Sequence, residues 1–143
     1  MLSNSSKYAI KAVLYLALNS SEEKRVMVKN ISTAINVPQA YLAKLLQELS
    51  KERIISSVKG PKGGFFLSSL NLQNTLMDVI DVIDGKKRLN SCVLSLEKCD
   101  LDKPCPLHNI ISPVKHKFIY NLQNKTIKDF SLEIKSGISF LPL

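Results

Sequence analysis

Ile54-Ile55-Ser56-Ser57-Val58-Lys59-Gly60-Pro61-Lys62-Gly63-Gly64-Phe65-Phe66-Leu67 is the stretch on which the fold turns. Ile54 to Val58 reads as a strand rich in β-branched residues, Lys59 to Gly64 as a turn, and Phe65 to Leu67 as a returning strand. The tip holds two lysines and three glycines, so it is both positive and slim. As turn formers the glycines need no partner. Beside DNA they would let the backbone approach closely.

What precedes the hairpin gives it meaning. Residues 28–35 make a short helix with Ile31, Ala34 and Ile35 inward. Asn36-Val37-Pro38 follows, where Asn36 tolerates the left-handed conformation that ends a helix and Pro38 suits the first turn of the next. A third helix, about 39–52, buries Leu42, Leu45, Leu46 and Leu49. Two short helices joined so tightly form a helix-turn-helix, and a hairpin directly after it is a wing. Ahead of both, residues 6–18 set Ala9, Ala12, Val13, Leu16 and Ala17 on one helical stripe.

Downstream, residues 71–84 read as a fourth helix with Leu72, Leu76, Val79, Ile80 and Ile83 at helical spacing and Gly85 at its end. Asp78, Asp81 and Asp84 read as its solvated face rather than a carboxylate site. Residues 86–106 are a polar loop. A last helix starts near Leu107 and shows Leu107, Ile110, Ile111, Val114, Phe118, Ile119 and Leu122. Pro113 predicts a kink, or a fresh start capped by Ser112. Little chain remains to cover this stripe, which predicts burial on a second subunit. The expected fold is mainly α with a small β-hairpin wing. A winged helix-turn-helix domain covers 1–70, the fourth helix, cysteine loop and dimerisation helix cover 71–130, and 131–143 form a tail without a clear reading.

Charge supports a polyanion partner. The net charge is +8 and the pI near 9.5. Residues 1–71 hold ten Lys and Arg against four Glu and no Asp, whereas residues 72–143 hold ten against eight acids. A surplus concentrated in one half is an electrostatic footprint for nucleic acid. The longest apolar run, Ala12 to Leu18, is far below the roughly 20 residues of a bilayer span. No basic, apolar, small-residue leader opens the chain, so a cytoplasmic protein with reduced thiols and no membrane partner is expected.

The third helix exposes Gln39, Ala40, Ala43, Lys44, Gln47 and Lys51, which suit a major groove. Gln can pair with adenine, Ala can meet a thymine methyl, and Lys can reach guanine or phosphate. Lys7, Tyr8, Lys29, Ser32 and Tyr41 could bond phosphates on either side. Ser57, Lys59, Gly60, Lys62 and Gly63 belong to the wing, whose lysines suit a narrow A·T-rich minor groove. Double-stranded DNA with a near-palindromic operator, bound by a homodimer, is the expected partner.

The three cysteines, Cys92, Cys99 and Cys105, crowd into the polar loop, with six and five residues between them and His108 three beyond the last. An odd count fits poorly with disulfides. At this spacing the ligands cannot share a helix face, so the loop itself must wrap any metal centre. Iron–sulfur clusters are held mainly by Cys thiolates, and His can replace some of them. Zinc with three Cys and one His is the rival, although its loops usually pair cysteines two to four residues apart. Redox-active free thiols stand as a third possibility. Cys105 with His108 is a conceivable nucleophile pair, but nothing supplies an oxyanion site or a lid, so no enzyme is expected.

These residues resemble the Rrf2 family of winged-helix regulators. Ser6-Lys7-Tyr8-Ala9 is similar to the family's first helix, and Val37-Pro38 through Tyr41-Leu42 to its recognition-helix entry. Ser57-Val58-Lys59-Gly60-Pro61-Lys62-Gly63-Gly64-Phe65 resembles its wing most specifically, and the likeness runs to about residue 130. The resemblance implies an IscR/NsrR/CymR-like regulator, nearest the IscR type, with Cys92, Cys99, Cys105 and His108 holding a 2Fe–2S cluster in preference to 4Fe–4S or zinc. NsrR-type members use an acid near the start of the first helix, and this chain has none before Glu22. The first cysteine gap is one residue longer than in the IscR pattern. Ala43 stands where IscR-type proteins carry an acid, which implies a different operator preference.

Overall fold

The computed structural model describes residues 2–95 and 97–143. Helix α1 (Asn4–Asn19) is the central element, with Ala9, Ala12, Val13 and Leu16 fully buried as its apolar stripe requires. Ser3 caps it by accepting from the Ser6 amide. The hydroxyls of Ser3 and Ser6 both donate to the Asp84 carboxylate, at 2.6 and 2.7 Å.

Helices α2 (Val28–Ile35) and α3 (Gln39–Lys51) are joined as the sequence predicts. Asn36 is left-handed, with φ 55°, and Pro38 precedes α3 as its cap residue. The Ser32 hydroxyl closes the turn by donating to the Val37 carbonyl at 2.5 Å. Ile31, Leu42, Leu46 and Leu49 are fully buried beneath this unit. Each such side chain contributes roughly 1.5–3 kcal/mol through burial.

The wing is the antiparallel pair β1 (Ser56–Val58) and β2 (Gly64–Phe66), in register Ser56 to Phe66 and Val58 to Gly64. Val26, just ahead of α2, bridges to Phe65 on the other edge of β2. A Cβ on Gly63 would fall 2.1 Å from the Val58 carbonyl oxygen, and one on Gly64 2.8 Å from that of Val26. The glycines here are therefore required by packing and not only by the turn. Asn71 ties the base of the wing together. Its buried amide donates to the Arg53 carbonyl at 3.0 Å and accepts from the Ser56 hydroxyl at 2.7 Å and the Ser68 amide at 2.9 Å.

The fourth helix is shorter than the 71–84 the periodicity predicts. Residues Asn71–Gln73 make one 3₁₀ turn, and α4 runs Leu76–Asp84. Thr75 and Asp78 form a reciprocal capping box that fixes the new start. The three aspartates of α4 also depart from a merely solvated face: Asp78 caps, Asp84 anchors α1, and Asp81 has one oxygen buried without a hydrogen-bond partner.

Helix α5 (His108–Gln123) runs through Pro113 without a fresh start at Ser112. Proline there removes the bond to the Asn109 carbonyl, and both residues are exposed, so water can replace it. Helix α6 (Ile127–Lys135) occupies a stretch whose end gave no clear sequence reading. Its own capping box, Thr126 with Asp129, lies against that of α4, since Thr75 and Thr126 form a β-bridge and the Ile127 amide donates to the Asn74 carbonyl at 2.8 Å. Phe118, Ile119 and Leu122 of α5 and Ile127, Phe130 and Ile134 join the core of the same chain. Part of the α5 stripe thus finds cover within its own subunit, while Ile110, Val114 and Tyr120 stay 67, 60 and 65% exposed. No helix among the described residues is long and apolar enough to cross a membrane.

Candidate functional site

Two regions carry the residues singled out by sequence. The first is an open groove of about 790 Å³ between α2, α3 and the wing. Lys29, Gln39, Gln47, Ser57, Lys59, Gly60 and Gly63 line it together. Met27, Lys51 and Val58 line it as well. Met27 precedes α2 and escaped the helical periodicity, yet it is exposed like a contact residue.

Ala40, Ala43, Lys44 and Lys62 are not in that groove. Ala40, Lys44 and Lys62 are exposed, and Ala43 is half-buried. Tyr41 turns toward α1, where its ring meets Tyr8 edge-on at 6.0 Å and its hydroxyl bonds Ser5. Lys7 is exposed beside this pair, and Ser32 is engaged in the α2–α3 turn. The Ser57 hydroxyl meets that of Ser50 at 2.9 Å, joining the wing to the end of α3.

The second region is the cysteine loop between α4 and α5. Leu89, buried, pins its start to the core. Ser91 and Lys98 form a bridge, and the Cys92 amide donates to the Glu97 carbonyl at 2.7 Å, so Cys92 sits at the mouth of a tight loop. The Asp100 carboxylate accepts from the Asp102 and Lys103 amides at 2.9 and 3.1 Å, which turns the chain back from Cys99 toward Cys105. The His108 amide donates to the Cys105 carbonyl at 3.0 Å and opens α5. All three cysteines are free and half-buried.

Cys99, Cys105 and His108 line one small cavity, and Cys92 borders the neighbouring one. The backbone N–H of Leu94 holds the Cys92 thiol below its ordinary range, overcoming desolvation with help from the Cys105 thiol, the Ser95 amide and the Cys99 thiol. Among the described residues no three Cys, His, Asp or Glu side chains are gathered tightly enough for a single metal ion. Three thiols and an imidazole around two adjoining cavities are the donor types that hold iron–sulfur clusters. His116 is exposed on α5, apart from this set.

Sequence reasoning missed Lys115. Its side chain is only 6% exposed, and it walls both cavities. Its Nζ donates to the Ser91 carbonyl at 2.6 Å and lies 4.0 Å from Cys99 Sγ. Lys115 falls on the stripe Ile111, Phe118 and Leu122, so its burial was readable as a lysine at a core position.

A family profile described as "Rrf2: Iron-dependent Transcriptional regulator" matches residues 2–132. The chain belongs to the Rrf2 family. It is a transcriptional regulator of the DNA-binding, winged-helix kind and not an enzyme. This Rrf2 chain is 34% identical over 131 residues to an HTH-type transcriptional regulator of Aquifex aeolicus, covering 90% of each. It is 27% identical over 128 residues to the HTH-type transcriptional regulator IscR of Pectobacterium atrosepticum, covering 90% of this chain and 77% of that one. Among solved structures, CymR, the global cysteine regulator of B. subtilis, superposes with a TM-score of 0.73 over 92% of this chain and 95% of its own, at 22% identity. That likeness establishes the fold.

Proposed function

We propose that this Rrf2 regulator binds an operator through α3 and the wing and that an iron–sulfur cluster in the cysteine loop tunes its affinity. The observation that carries the reading is that Cys99, Cys105 and His108 line one cavity and Cys92 the adjoining one, with Lys115 as their shared wall. Cys92, Cys99, Cys105 and His108 are the ligands, and one imidazole among thiolates favours 2Fe–2S. When bound, the group supplies a one-electron redox centre that oxidants or iron scarcity can remove. The family's description as iron-dependent supports this assignment.

The chain's own residues do the rest. Gln39 and Gln47 present amides toward base edges, Lys29, Lys44 and Lys7 reach phosphates, and Lys59 and Lys62 carry the wing into a minor groove. Ala40 and Ala43 offer methyl contact, and Tyr8 and Tyr41 brace α1 against α3. Ser32, Ser57, Gly60 and Gly63 hold the turn and the wing at the approach the duplex requires. Exposed Ile110, Val114 and Tyr120 support a homodimer through α5. Such a dimer places two α3 helices on a near-palindromic site. The cysteine loop adjoins α5, so ordering it shifts the pose of one winged helix against the other.

Redox-active thiols without a cluster are the second reading, favoured by the thiolate-stabilising surroundings of Cys92. Iron and acid-labile sulfide content of anaerobically purified protein decides between the two. Red-brown protein holding both, and colourless after Cys92→Ala, Cys99→Ala or Cys105→Ala, supports the cluster. Colourless wild-type protein with three titratable thiols supports the second reading, and colourless protein with stoichiometric zinc rejects both.

A further inference from the structure

Among the described residues Lys115 is a buried lysine with no carboxylate within ion-pair distance. Its ammonium is satisfied on one side by the Ser91 carbonyl and faces the Cys99 sulfur on another. The one ion pair among the described residues joins Lys125 to Glu133, and no carboxylate reaches Lys115. A buried charge is costly unless an opposite charge compensates it. The groups around the two cavities that can become anionic are the three thiols. An oxidised 2Fe–2S core with three thiolates and a neutral imidazole is a net anion, and uptake of one electron deepens that charge.

We propose that Lys115 is the counter-ion and sulfur hydrogen-bond donor of the centre held in this loop, and that it raises the centre's reduction potential. The proposal rests on the cluster reading above. It makes Lys115 a positioning residue: it ligates nothing, yet it favours the more negative, reduced state over the oxidised one. In the cluster-free protein the same ammonium has no compensating charge and destabilises the fold.

The test is an anaerobic potentiometric titration of wild type, K115M and K115R, with dithionite as electron donor and optical detection. Methionine keeps the length and apolar stem, whereas arginine keeps the charge. The expected K115M midpoint lies lower by a tenfold or greater change in the reduced-to-oxidised ratio at fixed potential, which is about 59 mV for one electron. K115R should stay near wild type. Folded K115M that loses its colour while K115R keeps it supports the same role through affinity. An unchanged K115M midpoint, or an equal fall in K115R, overturns the proposal. Thermal melting of the cluster-free proteins supplies an independent arm: K115M should melt at or above wild type, and a lower melting temperature would mark Lys115 as a structural residue. A colourless wild type would reject the cluster reading itself, and with it this role for Lys115.

Discussion

Val26 and Phe65 exchange two backbone hydrogen bonds, at 2.9 and 2.8 Å, an isolated bridge that pins the residue two before α2 to the free edge of β2. Gly64, beside Phe65, has φ +150° and leaves no room for a Cβ against Val26. Gly64→Ala should therefore separate β2 from Val26 and cost roughly 1–3 kcal/mol, with operator affinity falling as well. Gly60→Ala meets no atom within 4 Å and bears only its φ of +108°, so it should cost less. Urea unfolding midpoints of the two variants give the comparison, and an equal loss would show that strain rather than contact dominates.

Asn71 is expected to be worth more than its surface neighbours. Asn71→Ala leaves the Arg53 carbonyl and the Ser68 amide without their side-chain partner, a loss of about 1–3 kcal/mol. Asn71 holds the base of the wing through Ser56 and Arg53, so the variant should also lose DNA affinity at temperatures where it remains folded. Thermal melts and gel-shift titrations on one preparation measure both.

Two aspartates should act on stability with opposite pH dependence. Hydrogen bonds from the Thr126 backbone and hydroxyl hold Asp129 below the usual carboxylate range, against desolvation. Its contribution is present above the unfolded value and is lost as pH falls through the folded one. Burial raises Asp81 above 3.8, opposed by Lys86 and aided by Asp78. Ionising Asp81 therefore lowers stability as pH rises through its folded value. Asp129→Asn should be less stable than wild type at pH 7 and converge with it in acid, whereas Asp81→Asn should be more stable at pH 7 and converge likewise. Denaturant midpoints at neutral and acidic pH check both signs.

Gln39 and Lys59 line the same groove but should fail differently. Gln39→Ala should relax base preference at one operator position. Lys59→Ala should weaken all sequences alike and reduce the log–log salt slope by about one. Selection profiles and salt titrations distinguish them, and a Gln39 variant with unaltered preference would remove it from base readout.

Much of this was legible from the chain alone. The Asn36-Val37-Pro38 turn, the leucines of α3 and the glycine-rich tip each carry a local physical reason, so the helix-turn-helix and wing are present as expected, although the strands are Ser56–Val58 and Gly64–Phe66 because Ile54, Ile55 and Leu67 are buried in the core instead of pairing. The rest depends on tertiary context. The start of α4 at Leu76 and the existence of α6 hinge on two Thr-x-x-Asp capping boxes, which are short and easily taken for loop. Asp84 looked solvated because Ser3 and Ser6 lie about eighty residues away in sequence. Lys115 sat unnoticed on an apolar stripe because a lysine is usually read as surface, although its place between Ile111 and Phe118 already put it inside. The cysteine spacing announced a loop that gathers thiols, but only the fold shows Cys99, Cys105 and His108 around one cavity.

Operator affinity of the anaerobic holo-protein against the apo-protein, at one salt concentration, tests most directly whether the cysteine loop governs DNA binding. Coupling between two sites equals the difference in cluster affinity between free and DNA-bound protein, typically about 1–3 kcal/mol. The expected result is therefore a difference of roughly 5- to 150-fold, abolished by Cys99→Ala. Equal affinities of holo- and apo-protein on every operator recovered by selection would contradict a regulatory role for the loop.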